Sequence, residues 1–390
     1  MKKSSPASLT SKASLVIIGG FINKRIYIMN ELESLATLCA LPLLGSVRIQ
    51  ALIHAFGSTE EVLRLQPEEI LSLTGFGEKI AESFKMLRQG KIFHDLELAE
   101  KKGIKVIPYT SSLYPRLLLE LPDKPLLLYV KGDLSCAAQS LAVVGTRFCS
   151  IYGKEMSEKI SKDLSRQGLT VVSGLAHGID TAAHLGALNQ GKTIAVIGSG
   201  LGRLYPRENS LLAEKIADQG ALVSEYPINT PPDKGNFPQR NRIVSGISLG
   251  TLLIEAPIKS GAMITMEFAK RQRKKRFAIP GRIDIPSFSG NHDLIKKGEA
   301  QLIENASDIL KCYENLFPQE FNIKDNTGSL PPLEQEEKHF LELMPHEEIG
   351  FDHLAAKTKL PIIKMNVLIM SLILKGYLKE FPGKLYKKSI

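Results

Sequence analysis

Between Ile104 and about Leu310 the chain alternates short apolar runs with amphipathic stretches, and no other feature restricts its fold so tightly. The runs are Leu141–Val144, Leu169–Val172, Thr193–Ile197, Ala221–Val223, Thr251–Ile254 and Arg276–Ile279. Successive residues of a strand point to opposite faces, so a run that is apolar throughout must be covered on both sides. Helices between the strands supply that cover and return the chain for the next parallel strand. The stretch after the first run places Met156, Ile160 and Leu164 four residues apart, one buried helical stripe. The predicted class is α/β: a Rossmann-like, doubly wound, mostly parallel sheet.

At 390 residues the chain has room for more than this sheet. Residues 30–103 read as a helical domain of helix-hairpin-helix or SAM-like type, because Ile70–Ala81 runs helix, turn with Gly75 and Gly77, helix. Turn amides and a following helix N-terminus can hold a DNA phosphate, although glycines also serve simply to close tight turns. Residues 104–312 carry the sheet, and 313–332 form a linker whose polar part is Asp325–Pro332. Residues 333–390 follow a winged-helix-like order: Leu333–Leu343, Phe351–Lys357, Pro361–Leu374, then a hairpin turning at Pro382-Gly383. The would-be recognition helix carries only Lys364 and Lys375 as cations, too few donors for reading base edges. A structural or partner-binding role is expected of it instead.

Residues 1–29 read as a disordered extension. Lys2, Lys3 and Leu15–Ile18 faintly imitate a signal peptide, but Lys24-Arg25 follows and no small-residue cleavage site appears. Met29 opens a segment that reads better as a domain beginning, so translation starts at either Met1 or Met29.

The net charge is +9, which favours polyanionic partners. Four scattered cysteines, Cys39, Cys136, Cys149 and Cys312, exclude a disulfide framework or zinc ribbon and suit a reducing compartment. No apolar run reaches the roughly 20 residues that span a bilayer. No His, Cys or Asp cluster has metal-ligand spacing, and His177 and His184 make a poor metal pair.

In a parallel α/β sheet ligands gather at the carboxyl ends of the strands. One strand here ends Gly145-Thr146-Arg147, with Tyr152-Gly153 opening the next helix; others end Ser173-Gly174 and Gly198-Ser199-Gly200. Glycine lets a phosphate approach the backbone, threonine offers a hydroxyl, and arginine offers a planar fork. None of these ends has the dinucleotide-binding spacing. The segment Lys234 to Arg242 reads as a loop that sets Phe237 beside Arg240, Asn241 and Arg242, as where bases stack on a ring while cations take phosphates. Phe237 as a plug against the sheet is the blander alternative. Glu255 ends a strand and serves either as a general base or as a partner for an arginine, while Ser260-Gly261 opens an anion-ready helix. The basic run Arg271–Arg276 suits a helix C-terminus and extends a basic track at most.

The succession G-T-R, S-G-L-A-H-G-I-D-T-A-A-H, I-G-S-G-L-x-x-x-Y-P, S-E-Y-P, F-P-Q-R-N-R-I-V-S-G-I-S, E-A-x-x-x-S-G-A-M-I-T and F-A-I-P-G resembles the DNA-processing protein A family (DprA, also called Smf). The resemblance runs from about Tyr114 to Leu310. It implies a cytoplasmic, non-catalytic protein without cofactor or metal that binds single-stranded DNA in natural transformation. It further implies protection of incoming strands, loading of the RecA recombinase and a homodimer. Arg147, Phe237, Arg240 and Arg242 match positions that the family places at the DNA groove, with Lys234 close by. With the strand-end residues, the candidate DNA-binding set is Gly145, Thr146, Arg147, Ser173, Gly174, Lys234, Phe237, Arg240, Asn241, Arg242, Ser260 and Gly261. Two departures bear on groove geometry: Gly202-Arg203 stands where the family has an acidic residue, and Ser173-Gly174 stands at its glycine-rich second loop. The competing class is a phosphoribohydrolase-like enzyme that cleaves nucleoside monophosphates on a related fold.

Overall fold

The computed structural model describes residues 30–41, 43–87, 94–314, 331–345 and 347–389; the expected extension 1–29 and most of the expected linker lie outside them. The chain divides into two compact units, Met1–Phe321 and Asn322–Ile390.

The first unit begins with α1 (Glu31–Cys39), α2 (Ser46–Phe56), α3 (Thr59–Arg64), α4 (Pro67–Leu71), α5 (Glu78–Leu87) and α6 (His94–Lys101). Local chemistry starts these helices: Asn30 and Glu33 cap each other's backbone at α1, and the Ser58 side chain accepts from Glu61 N–H at α3. Gly75 takes φ +89° in the turn between α4 and α5, a conformation that L side chains resist. Leu35, Leu38, Ile49, Leu52 and Ile70 share one core with Leu126 and Leu127, which fastens the helices to the sheet.

The sheet contains β1 (Lys105–Pro108), β2 (Leu127–Gly132), β3 (Ser140–Val144), β4 (Thr170–Ser173), β5 (Thr193–Ile197), β6 (Ala221–Ser224), β7 (Gly250–Leu253), β8 (Lys275–Ala278) and β9 (Gln301–Leu302). Their order is β1-β2-β6-β5-β4-β3-β7-β8-β9. The six runs predicted as strands are β3 to β8, and each pairs in parallel with its neighbours among them. The sequence reading missed β1 and β2, which pair antiparallel with each other and bring β2 antiparallel to β6. Neither is followed by a long crossover helix, so the alternation that reveals the other strands does not mark them.

Helices α7 (Arg116–Leu119), α8 (Ile151–Arg166), α9 (Ile179–Leu188), α10 (Ser210–Gln219), α11 (Asn236–Gly246), α12 (Gly261–Arg271), α13 (Ser289–Lys296) and α14 (Ala306–Lys311) lie along the connections. Alternate strand residues feed two cores. Leu141, Val143 and Val171 pack with Ile160, Leu164, Ile179 and Ile309, so α8, α9 and α14 cover one face. Ala142, Val144 and Val172 pack with Leu118, Ile243, Met266 and Leu294, so α7, α11, α12 and α13 cover the other. The chain steps outward from β3 through β4, β5 and β6, then returns to place β7 on the other side of β3. Ligand crevices form at such a reversal.

The second unit contains α15 (Gln335–Leu343), β10 (Ile349–Gly350), α16 (Phe351–Thr358), α17 (Ile362–Leu374), β11 (Leu378–Phe381) and β12 (Leu385–Lys388). Its strands form an antiparallel sheet in the order β10-β12-β11. Phe340, Leu354, Met365, Leu368, Leu372 and Tyr386 make its core. The Glu337 carboxylate accepts hydrogen bonds from Lys375 Nζ at 2.6 Å and Ser371 Oγ at 2.7 Å, which joins α15 to α17. Those bonds, Lys375 foremost, hold the Glu337 carboxyl down at about 2.

His184 on α9 is fully buried. The Thr193 hydroxyl donates to Val171 O at 2.8 Å, so His184 Nδ1–H is the donor in its 2.7 Å contact with Thr193 Oγ. Nε2 is left without a hydrogen-bond partner among the described residues. Burial first, then the charge of Arg240, holds His184 down at about 3. An unfolded histidine titrates near ~6.5, so between that pH and about 3 the unfolded chain takes up a proton that the native chain refuses. The stability contributed by the neutral ring is complete above the unfolded value and drains as pH falls, by up to about 1.4 kcal/mol per pH unit. A His184→Gln chain should therefore lose stability less steeply than the parent between pH 6.5 and 4 in urea titrations. Equal slopes would exclude the buried imidazole as a source of acid sensitivity.

Candidate nucleic-acid interface

The carboxyl ends of β3, β4 and β7 and the N-terminal ends of α11 and α12 border an open groove of about 610 Å³. The loops after β3 and β4 touch directly. A Cβ on Gly145 would lie 2.4 Å from Ile179, and one on Gly178, at φ +73°, would lie 2.5 Å from the carbonyl oxygens of Thr146 and Arg147. Glycine at these points is a condition for the loops to meet. Thr146 N–H donates to Glu255 O at 2.7 Å, and its hydroxyl accepts Phe148 N–H at 3.2 Å. Arg147 and Phe148 are thereby carried to the exposed rim of the groove.

Arg240 is buried beneath the groove. Its Nη1 donates to Gly174 O at 2.7 Å and to Val196 O, and its Nε donates to Asn241 Oδ1 at 3.2 Å. The Asp180 carboxylate accepts Gly174 N–H at 3.2 Å and Ala176 N–H at 3.3 Å. Burial pushes the Asp180 carboxyl up and the Arg240 guanidinium down, while the attraction between the two opposes both shifts. The guanidinium braces the β4 loop from inside, and a Cβ on Gly174 would lie 2.6 Å from it.

The segment expected as a loop is the first turns of α11, and this changes where its side chains go. Residues two apart on a helix point about 200° apart. Arg240 faces the groove, whereas Arg242 is buried away from it, paired with Glu225 and 3.5 Å from Asp123. Ser173 also lies outside the groove lining, its hydroxyl donating to Val143 O at 2.6 Å. The other ten candidate residues line the groove.

Phe237 is half-buried, its ring partly packed and partly open. A Cβ on Gly198 would lie 2.9 Å from its ring, so the ring does press on a strand end. On its other contacts, the Tyr205 ring centroid lies at 5.6 Å and the Arg147 guanidinium at 5.7 Å, a cation–π distance. Phe148 is the open aromatic, 91% exposed. Phe148 and Lys259 were missed by the sequence reading, and Tyr205 entered it only inside a motif. The usable signal was an aromatic directly after the strand-end arginine.

Two helix N-termini near the groove differ sharply. At α12 the Ser260 hydroxyl accepts Met263 N–H at 3.4 Å, and Asn241 Nδ2 donates to Gly261 O at 3.1 Å, leaving an accessible end beside exposed Lys259. At α8 an internal anion occupies the end. Buried Glu255 accepts Ser150 N–H at 3.0 Å, Ser150 Oγ at 2.7 Å and Ser287 Oγ, and a Cβ on Gly153 would lie 2.0 Å from its carboxylate. Glu255 is thus an enclosed carboxylate bonded to two serines rather than an open base, with no arginine paired to it among the described residues, and it sits at the Tyr152-Gly153 helix end. Among the described residues no His, Cys, Asp and Glu group could hold a metal ion. No described helix is long and apolar enough to cross a membrane.

The family model of DNA recombination-mediator protein A matches residues 105–314. Protein Smf of Synechocystis is 32% identical over 380 residues, 88% of this chain and 95% of that protein. DNA processing protein DprA of Streptococcus pneumoniae is 44% identical over 206 residues, 52% of this chain and 72% of that one. The X-ray structure of the pneumococcal protein superposes with a TM-score of 0.62 at 34% identity, covering 73% of this chain and 98% of the other. A Helicobacter pylori DNA processing protein A structure, which concerns a single-stranded DNA binding mode, gives a TM-score of 0.50 at 30% identity over 55% of this chain and 97% of that one.

The bracing role of Arg240 has a measurable consequence. Arg240→Met should cost about 3–5 kcal/mol in urea unfolding, because it leaves the Asp180 carboxylate buried without its counter-charge. Arg240→Met combined with Asp180→Asn should recover much of that loss. A single variant as stable as the parent would show that the guanidinium carries no structural load.

Proposed function

The chain belongs to the DNA recombination-mediator protein A family, and from that premise we propose that it binds single-stranded DNA without catalysing a reaction on it. One observation carries this reading. The groove lining holds Arg147, Lys234, Arg240 and Lys259, and the only acid among the described residues that line it, Asp180, is buried and bonded to backbone amides. A cationic, open trough with aromatic side chains at its rim suits a phosphate backbone with unstacked bases. Gly145, Thr146, Gly174, Asn241, Ser260 and Gly261 let the strand approach the backbone, Arg147 supplies a fork for phosphate, and Phe148, Tyr205 and Phe237 offer ring surface. The relatives' names support a role in DNA processing. Protection of incoming strands in natural transformation, transfer to the RecA recombinase, a homodimer and a cytoplasmic setting complete the proposal. We read residues 30–103 as the helix-hairpin-helix or SAM-like domain, 104–312 as the DNA-binding domain, 313–332 as the linker and 333–390 as the winged helix. A nucleotide-cleaving reading would need an open carboxylate beside the groove, and Glu255 is enclosed by Ser150 and Ser287.

Affinity for a single-stranded oligonucleotide should exceed that for a duplex of equal length and fall steeply with salt, at a slope of about 0.7 per phosphate neutralised. Lys259→Gln should lower that slope by about one such contact, whereas Arg147→Lys should weaken binding and keep most of it. Equal affinity for duplex and single strand would remove the proposal.

The aromatic side chains separate differently. Phe148→Ala should cost about 1–3 kcal/mol of binding with an unchanged melting temperature, since its ring is exposed. Phe237→Ala should lower both affinity and melting temperature, because part of that ring is packed. Fluorescence titration beside thermal melts measures each; undiminished affinity in a folded Phe148→Ala chain would exclude stacking on that ring.

A further inference from the structure

The helices ahead of the sheet repeat themselves at one constant spacing, that of Leu38 to Ile70. The backbone bonds Leu41 N–H to Leu38 O, Leu44 N–H to Leu41 O and Ile49 N–H to Gly45 O recur as Leu73 to Ile70, Phe76 to Leu73 and Ala81 to Gly77. Leu43 and Gly75, at the same place in the two turns, both take positive φ, +65° and +89°. Leu38 and Ile70 are both buried, as are Leu52 and Phe84. Helices α1 and α2 and helices α4 and α5 are therefore two copies of one helix–hairpin–helix unit.

Such a hairpin can hold a phosphate at the start of its second helix, and neither copy is built to do so. At α2, Ser46 Oγ donates to Asp123 O and Gln50 Nε2 donates to Pro122 O, each at 3.3 Å, so this helix is turned to the loop before β2. At α5, Glu78 stands in the first turn and answers the helix dipole itself. Residues 30–103 hold eleven Asp and Glu against eight Lys and Arg, in a chain of net charge +9. A polyanion meets repulsion on this domain, not attraction.

The domain instead grips the segment that carries groove residues. Asp123, bonded to α2 through its carbonyl, has its carboxylate 3.5 Å from Arg242 on α11. Asp95 on α6 accepts Ile228 N–H at 3.0 Å, inside the segment that joins β6 to α11. Ala99 of the same helix shares a core with Ile228 and Leu201. Ile228 O in turn accepts Gly202 N–H at 2.8 Å. Lys234 and Phe237 of the groove lining come next along the chain. We propose that the helical domain positions the groove and takes no nucleic acid itself, with Asp95 as the positioning residue that fixes the β6–α11 segment. The proposal rests on the reading of the groove as a single-strand site.

Asp95→Ala and Asp95→Asn separate position from charge. Both remove a negative charge, which by itself strengthens polyanion binding, but Asn keeps an oxygen acceptor for Ile228 N–H. Well below the melting temperature, Asp95→Ala should weaken single-strand binding by roughly tenfold with the salt slope unchanged. Asp95→Asn should bind as the parent does. The alanine effect should shrink on a Lys234→Gln background and persist in full on a Lys259→Gln background, because only Lys234 lies on the held segment. Lys79→Gln combined with Lys85→Gln, both exposed on α5, should leave affinity and salt slope unchanged. In the DNA-free chain, Asp95→Ala should speed amide hydrogen exchange across Ile228–Gly235, while β3 to β5 exchange as before. Alanine and asparagine variants that bind alike, full additivity with Lys234→Gln, unchanged exchange, or a salt slope lowered by the α5 variant would each overturn the proposal. A parent chain that binds no single strand removes the groove reading instead, and the exchange comparison still decides whether Asp95 holds the segment.

Discussion

Two buried charges of opposite sign hold the strand-end loops of the sheet in place. Arg240 ties the end of β4 to the end of β5 through Gly174 and Val196, and Glu255 ties the loop after β3 to Ser287 through Ser150. Loops at the carboxyl ends of parallel strands carry backbone groups that no ladder pairs. An internal guanidinium and an internal carboxylate satisfy several of these groups at once, and both need glycine close by. Gly174 leaves room for the first and Gly153 for the second. The glycine richness of these strand ends therefore has two causes: close approach from outside, and charges lodged inside.

This arrangement fixes the sign of the groove. The positive end of α8 is answered by Glu255, so it adds little field outside. The end of α12 has no internal carboxylate and stands beside Lys259. Asp180 answers Arg240 from beneath, which lets a cation sit under the floor without repelling the exposed Arg147 and Lys234 at full strength. The field at the groove thus depends in part on which helix end the protein leaves open.

How much of this was legible follows from the kind of signal each part leaves. Strands β3 to β7 are buried on both faces, and β8 is so in its second half, a pattern that apolar runs reveal in the sequence. Strands β1 and β2 cover an edge through antiparallel pairing and leave no alternation with helices. In the site, residue type and neighbourhood were readable but direction was not. Arg240 and Arg242 look equivalent in a loop; the helix beginning at Asn236 sends them to opposite sides, one to the groove and one to Glu225 and Asp123. Ser173 likewise bonds inward because it is still part of β4. Glu255 could not be assigned from sequence, since its partners are 105 residues upstream and 32 downstream.

The second unit shows the same limit from the opposite direction. Its α17 was judged poor in cations by counting two lysines, and the tertiary structure lowers even that count in effect. Glu336 and Glu337 sit on α15 where each meets one of those lysines, and Glu337 does so while nearly buried. A helix whose charges are answered within its own unit, and whose exposed residues include Ile362, Ile363, Val367, Met370 and Leu374, has surface chemistry dominated by apolar area. The basic balance of the sequence is thus unevenly expressed: Arg147, Lys234, Arg240 and Lys259 line the sheet's open crevice, while both lysines of the helix whose place in the chain order would suggest a reader of bases are answered by acids.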